Sequence, residues 1–350
     1  MFKKKMIIDK ESGMTVLGSF DKVVTTERYE ILFNTKTGFE VMRGINGYED
    51  PFVLDYPSMI DCGIMGHCQN KCAFCYQGDN QQPNMSLENY KLIIDQSKHH
   101  VSQLALGGRG EPNQHENFEE IMKYTRENNI APNYTTSGNN LTDRQVDITK
   151  EYAGAVAVSA YGEEYTYDAL KRFMDAGVKT NIHMIFSSLS ADVAIDLVEG
   201  YDVFDGKVNF DKLNAIIFLL FKPQGRGKNL KQYIPNNSQI ARFAKAIETP
   251  RSKFKIGMDS CLVNKVSNHR SLSRMEKVMA DTCEGARMSC YITPDMKFMP
   301  CSFGNHDKYG ISIQDTPIKE VWEHGKSFIN FREALSLEEN RCPYEKDCWV

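Results

Sequence analysis

The chain has 350 residues, of which 41% are hydrophobic, and a formal net charge of −4 at pH 7. This length fits one barrel of about 250 residues with a smaller module. Acidic and basic residues are interspersed, which excludes the basic surface of a nucleic-acid-binding protein. The Met1–Asp9 start holds an apolar stretch far too short for a signal-peptide core or a membrane span. We therefore expect a cytoplasmic protein without nucleic-acid or membrane partners, whose ten cysteines indicate metal ligation rather than disulfides.

Residues 1–55 form an N-terminal extension in this interpretation. Within it, residues 20–48 are β-rich, and two apolar runs flank the turn-like segment Asn34–Gly38. The pattern predicts a β-hairpin that covers one end of a barrel. An exposed strand edge that binds a partner peptide is the alternative.

Residues 56–250 alternate between strand-like and amphipathic helical runs. The predicted strands are Ser58–Met65, Gln103–Leu106, Ala131–Thr135, Ala155–Ser159, Thr180–Ile185 and Leu213–Leu220. Helical patterns lie between them at Ser86–Lys98, His115–Asn128, Glu163–Ala176 and Ala191–Glu199. This alternation indicates right-handed βαβ crossovers and a parallel sheet. Six such units predict an α/β fold, a partial (β/α)6 TIM-like barrel, with functional groups at the carboxyl ends of its strands.

Three cysteines follow the first predicted strand in the spacing Cys-x3-Cys-x2-Cys, at Cys68, Cys72 and Cys75. Three thiolates so close together can hold one iron–sulfur cube and leave its fourth iron without a protein ligand. An open iron is a site for chemistry. A zinc knuckle, with His67 as a fourth ligand, is the alternative.

This loop, with Phe74 directly before the third cysteine, resembles the signature of the radical S-adenosylmethionine superfamily. The resemblance implies a 4Fe-4S cluster on the three cysteines and S-adenosylmethionine chelated at the open iron. It implies reductive cleavage to a 5′-deoxyadenosyl radical that abstracts hydrogen from a substrate. It further implies a reducing electron donor such as flavodoxin or ferredoxin.

The segment Gly107-Gly-Arg-Gly-Glu-Pro112 follows the second predicted strand. Glycine lets backbone approach a ligand closely. The segment resembles the family's Gly-Gly-Glu-Pro motif, interrupted here by Arg109 and Gly110. The resemblance implies that Gly107, Gly108, Gly110 and Glu111 hold the amino end of S-adenosylmethionine.

Four further residues are candidates by their position after strands. Ser137 and Ser159 end the third and fourth predicted strands and could reach the ribose of the cofactor. Arg172 could pair with the cofactor carboxylate, and Arg226 with an anionic part of the substrate or cofactor. The alternatives are helix capping for the serines and solvated surface charge for the arginines.

The βα alternation stops in residues 251–350, where cysteines return. The run from Cys283 to Cys301 resembles the start of a SPASM/Twitch extension, although Met296 stands where that pattern usually has glycine. A full SPASM module would need a cysteine at position 339, where this chain has Glu339. The resemblance therefore implies one auxiliary iron–sulfur cluster in a small C-terminal domain.

We expect the auxiliary cluster to be held by Cys283, Cys301, Cys342 and Cys348, with a structural zinc site as the alternative. Cys290 and Cys62 are expected to be buried in the core, although Cys290 could replace one of the four ligands. Cys261 ends a strand-like run between barrel and extension. We expect it to face the cavity, as a catalytic thiol that gives a hydrogen atom to a substrate radical or as a cluster ligand.

The resemblance as a whole implies a radical S-adenosylmethionine enzyme that acts on a peptide or protein by crosslinking, oxidation or epimerisation. A second hypothesis keeps this chemistry and assigns a small biosynthetic molecule as the substrate. A third, non-enzymatic hypothesis is an iron–sulfur electron carrier or a zinc-stapled binding protein.

Overall fold

The computed structural model describes residues 3–8, 15–267, 283–337 and 342. The strands are β1 (Lys3–Ile8), β2 (Thr15–Phe20), β3 (Lys22–Thr25), β4 (Tyr29–Phe33), β5 (Glu40–Gly44), β6 (Met59–Met65), β7 (Gln103–Gly108), β8 (Ala131–Thr136), β9 (Ala155–Ser159), β10 (Thr180–Phe186), β11 (Ala215–Leu220), β12 (Lys255–Met258), β13 (Ser289–Ile292), β14 (Lys297–Met299) and β15 (Ile311–Ser312). The helices are α1 (Leu87–Ser97), α2 (Phe118–Glu127), α3 (Asp143–Tyr152), α4 (Glu164–Asp175), α5 (Ala191–Val198), α6 (Asn237–Ala246), α7 (Ser260–Ser267), α8 (His306–Tyr309), α9 (Ile318–His324) and α10 (Lys326–Leu337).

One sheet of ten strands organises the chain, in the order β12-β11-β10-β9-β8-β7-β6-β13-β14-β15. Strands β6 to β12 are parallel to their neighbours. Helices α1 to α5 are the crossovers between successive strands from β6 to β11. The parallel, open barrel predicted from the alternation is therefore confirmed, and β12 adds one parallel strand beyond the six predicted.

The C-terminal extension continues this sheet. Strand β13 pairs in parallel with β6, with Cys290 opposite Ile60 and Tyr291 opposite Asp61. Strands β14 and β15 follow in antiparallel pairing. An open barrel leaves the backbone groups of its first strand unpaired, and β13 covers that edge. Because strands from both sides of residue 250 share one sheet, the domain boundary there stays a prediction.

The N-terminal residues lie at the amino ends of the barrel strands. Strands β3, β4 and β5 form an antiparallel sheet, with the Asn34–Gly38 turn between β4 and β5. The buried ammonium of Lys22 donates to the carbonyl oxygens of Lys98, Val101 and Asn129. Burial lowers the pKa of Lys22 to about 8. This sheet is thus fixed to the end of the barrel opposite the loops that follow the strands.

Candidate active site

The loop after β6 carries Cys68, Cys72 and Cys75, each partly exposed. The charge of Cys72 interacts with those of Cys68 and Cys75, so the three thiols are close neighbours. Burial raises the pKa of Cys68 and of Cys72 above its ordinary value. Metal ligation requires thiolates, so metal binding here would release protons. Three thiols on one loop at the carboxyl edge of the sheet are a donor set that fits a cube with an open iron.

The loop after β11 supports the cysteine loop from the other side. The amides of Arg226 and Gly227 donate to the carbonyl oxygen of Cys75 over 3.0 and 3.3 Å. The guanidinium of Arg226 donates to the carbonyl oxygen of Asn70 over 3.3 Å, and its charge favours the thiolates of Cys68 and Cys72. The structure therefore places Arg226 against the cysteine loop, while its contact with substrate or cofactor stays a prediction.

Glu111 fastens the cysteine loop to the end of β8. Its carboxylate accepts from Asn70 Nδ2 over 3.1 Å, from the amide of Ser137 over 2.7 Å and from the hydroxyl of Thr136. Asn70 Nδ2 also donates to the Ser137 hydroxyl over 3.1 Å, and Asn139 Nδ2 donates to Asn70 Oδ1 over 3.2 Å. Sequence reasoning missed Asn70 and Thr136. The position of Asn70 between the first two cysteines was the one available signal.

A polar cavity of about 100 Å³ lies between the cysteine loop and this network, lined in part by Met65, Cys68, Glu111 and Asn139. The glycine-rich segment can approach so closely because Gly110 has no side chain. A Cβ there would lie 2.3 Å from the carbonyl oxygen of His67. The loops after β6, β7 and β8 thus meet where the sequence predicts the cofactor.

Two other residues predicted to bind the cofactor, Phe74 and Ser159, both contact Tyr161. The rings of Phe74 and Tyr161 are tilted with centroids 5.4 Å apart, and Ser159 hydrogen-bonds the Tyr161 phenol. Tyr161 thus links Ser159, at the end of β9, to Phe74 of the cysteine loop.

The Arg172 guanidinium donates to the carbonyl oxygen of Leu141 over 2.7 Å and to Asp143 Oδ1 over 2.6 Å. It also pairs with Asp168 at 3.5 Å. These contacts match the surface-charge alternative for Arg172. Its pairing with a cofactor carboxylate stays a prediction and would require exchange of these partners.

Four cysteines from distant parts of the chain form a second group: Cys261 in α7, Cys283, Cys301 and Cys342. The charge of Cys301 interacts with those of the other three, and Cys261 interacts with Cys283 and Cys342. Burial raises the pKa of Cys283 to about 11 and also raises that of Cys261 and Cys301. The amides of Gly285 and Phe303 hydrogen-bond Cys283 and Cys301, a contact that tunes cluster sulfurs.

The sequence-based ligand set differs from this group in one member. Cys348 lies outside the described residues, and Cys261 stands beside the other three. Cys290 is only 2% exposed, on β13, and its charge interacts with those of Asp61 and Cys62. In the part of the chain that the structure describes, no three Cys, His, Asp or Glu side chains converge on a single-ion site.

Aromatic and basic side chains fill the space between the two cysteine groups. Tyr76, next to Cys75, packs edge-on against Phe303 with ring centroids 4.7 Å apart. The Lys222 ammonium lies 4.0 Å from the centroid of the Phe303 ring and 2.6 Å from Asp259 Oδ2. This packed cluster of Tyr76, Lys222 and Phe303 lies beside Cys75 of the first cysteine group and two residues from Cys301 of the second.

No protein-family model and no curated protein matches the chain. The structure is similar to SuiB from Streptococcus suis bound to the precursor peptide SuiA, with 14% identity, a TM-score of 0.66 and coverage of 89% of this chain and 90% of that one. For SuiB bound to S-adenosylmethionine the identity is 15%, the TM-score 0.64 and the coverage 80% and 68%. For anSMEcpe with bound AdoMet and the Cp18Cys peptide the identity is 18%, the TM-score is 0.58, and the match covers 83% of this chain and 88% of that one.

At these identities the similarity establishes the fold. The partial barrel with a C-terminal extension predicted from the sequence is confirmed. The chain shares the fold of SuiB and anSMEcpe, which is the fold implied by the resemblances of the cysteine loop and of the Cys283–Cys301 run. None of the helices in the described ranges is both long and apolar enough to cross a bilayer.

Proposed function

We propose that this chain is a radical S-adenosylmethionine enzyme that abstracts hydrogen from a peptide or protein substrate. The observation that carries the proposal is the meeting of the loop of Cys68, Cys72 and Cys75 with the Glu111 network at one cavity, which Cys68 and Glu111 both line. When bound, a 4Fe-4S cluster with an open iron supplies the electron that cleaves S-adenosylmethionine to the 5′-deoxyadenosyl radical.

The residues of the chain perform the remaining tasks. Glu111 and Asn70 hold the cavity wall in one geometry, which reduces the entropy lost when the cofactor binds. The amides of Arg226 and Gly227 fix the Cys75 carbonyl. The positive charge of Arg226 stabilises the anionic thiolates, because opposite charges in a partly buried site interact strongly.

For the second group we propose one auxiliary cluster held by Cys261, Cys283, Cys301 and Cys342. Four thiolates satisfy such a cluster completely. This set replaces Cys348 with Cys261, because Cys261 interacts with all three other thiols. A ligated thiol has no hydrogen atom to donate, so the proposal also replaces the predicted role of Cys261 as a hydrogen donor.

A peptide substrate is favoured over a small molecule by two similar structures that hold peptides, SuiB with SuiA and anSMEcpe with Cp18Cys. The substrate would bind near Tyr76, Lys222 and Phe303, between the two cysteine groups. We further propose a cytoplasmic location and reduction by flavodoxin or ferredoxin. A small biosynthetic molecule bound at the same place is the second candidate.

Electron paramagnetic resonance of the anaerobically reconstituted, reduced protein tests the binding part of the proposal. We expect S-adenosylmethionine to change the g-values of a cluster signal, because its amino and carboxylate groups would occupy the open iron. Adenosine, which lacks both groups, is the matched control and should leave the spectrum unchanged. Identical spectra with and without S-adenosylmethionine would contradict the proposal.

A further inference from the structure

Polar side chains line part of the inner wall of the barrel. On the strands, residues that face outward are buried, whereas their neighbours that face inward are partly exposed. The inward set includes Asp61, Gln103, Asn133, Thr135, Asn181 and His183. Interiors of closed barrels are filled with bulky apolar side chains. The inward-facing polar side chains of this open barrel instead keep partial access to solvent.

Most of these polar side chains satisfy one another. Asn133 Nδ2 donates to Gln103 Oε1 over 3.0 Å, and Thr135 Oγ1 lies 3.4 Å from His183 Nδ1. Asp61 is different. Within the described residues, its carboxylate has no hydrogen-bond or ion-pair partner, and burial raises its pKa to about 6.

The groups around Asp61 do not compensate its charge. Tyr76, Tyr291, Cys62 and Cys290 are weak acids whose charges would repel it. Burial lowers the pKa of His183 to about 4, so that ring is neutral at pH 7. The nearby Lys222 ammonium forms its ion pair with the Asp259 carboxylate. Because Asp61 keeps partial access to solvent, its carboxylate can pair with a cation that enters the barrel.

Gln77 supplies a buried donor without a partner near Asp61. It is 6% exposed, and its Nε2 has no hydrogen-bond partner in the described part of the chain. Gln77 lies next to the phenols of Tyr76 and Tyr291, both of which interact electrostatically with Asp61. The Asp61 carboxylate and the Gln77 amide thus lie around the same two phenols.

We propose that Asp61 binds a cationic group of the substrate, the ammonium or guanidinium of a lysine or arginine side chain, and that Gln77 Nε2 donates to an adjacent oxygen. Carboxylates pair strongly with such cations in buried sites. The identification of the bound group as part of the substrate rests on the proposed function. The match between the site and a cationic group rests on the Asp61 carboxylate and the Gln77 amide alone.

Saturation-transfer-difference NMR on the reconstituted protein tests the proposal with n-butylammonium and n-butylguanidinium as probes and neutral n-butylurea as control. We expect signals from the cationic probes that exceed those of n-butylurea. Asp61→Asn should weaken binding of the cations by about tenfold or more. Asp196→Asn, which changes an exposed carboxylate on α5, should leave it unchanged.

The melting temperature separates binding from a structural role. Because Asp61→Asn removes a partly buried charge that has no partner among the described residues, we expect the free variant to melt at the same temperature or a few degrees higher. Cation binding that equals n-butylurea binding, survives in Asp61→Asn, or is lost together with a lowered melting temperature would each overturn the proposal. Formation of 5′-deoxyadenosine by the unaltered chain is measured separately, so a failure of the proposed function is distinguishable.

Discussion

Cys261→Ala should remove about half of the iron from the anaerobically reconstituted protein, about four of eight atoms, if each of two cubes carries four. Cys261 lies beside Cys283, Cys301 and Cys342. A cluster that loses one of four thiolates loses part of its binding free energy. Iron and sulfide analysis of the purified variant measures the effect.

Two control variants make this result specific. Cys290→Ala alters a buried thiol on β13 that lies beside Asp61 and Cys62, and it should retain all iron. Cys348→Ala removes the thiol that the sequence pattern assigns to the auxiliary cluster in place of Cys261. This variant should also retain all of its iron. Full iron in Cys261→Ala, with loss in Cys348→Ala, would contradict the proposed ligand set and restore the one predicted from the sequence.

Glu111→Ala should weaken the binding of S-adenosylmethionine by about tenfold and slow its reductive cleavage by about a hundredfold. Glu111 is 9% exposed, and its carboxylate accepts from Asn70, Thr136 and Ser137. Truncation leaves these donors unpaired and releases the cysteine loop from β8. Equilibrium dialysis and single-turnover formation of 5′-deoxyadenosine measure the two effects.

Glu119→Ala is the matched control for Glu111→Ala, because Glu119 is an exposed carboxylate on α2 that pairs with Arg144. It should bind and cleave S-adenosylmethionine like the unaltered chain. Glu111→Gln retains one acceptor oxygen and should recover part of the affinity. Unchanged affinity in Glu111→Ala would show that the network does not shape the cofactor site.

Features encoded by contiguous residues could be predicted from the sequence. The spacing of Cys68, Cys72 and Cys75 and the alternation of strands and helices each extend over short windows, and both correspond to features of the structure. The positions of Asn70 and Thr136 around Glu111 depend on the approach of three separate loops. Such side-chain contacts leave no periodic signal in one sequence.

The C-terminal extension shows the same limit. Cys261 joins the second cysteine group through the packing of α7, and β13 joins the barrel through the free edge of β6. The turn at Met296 shows how the chain departs from the glycine that the SPASM pattern usually has at this position. Met296 adopts φ = 62°, the left-handed conformation that glycine takes most easily, and its side chain is completely buried. Burial of this apolar side chain offsets a strain of about 1–2 kcal/mol.

Formation of 5′-deoxyadenosine tests the central claim most directly. The protein is reconstituted without oxygen, reduced with dithionite and incubated with S-adenosylmethionine, beside a Cys72→Ala variant treated in the same way. We predict that the unaltered chain forms 5′-deoxyadenosine and that Cys72→Ala forms none. Equal formation by both proteins, or none by an unaltered chain that carries its full iron and is supplied with peptide, would contradict the radical mechanism.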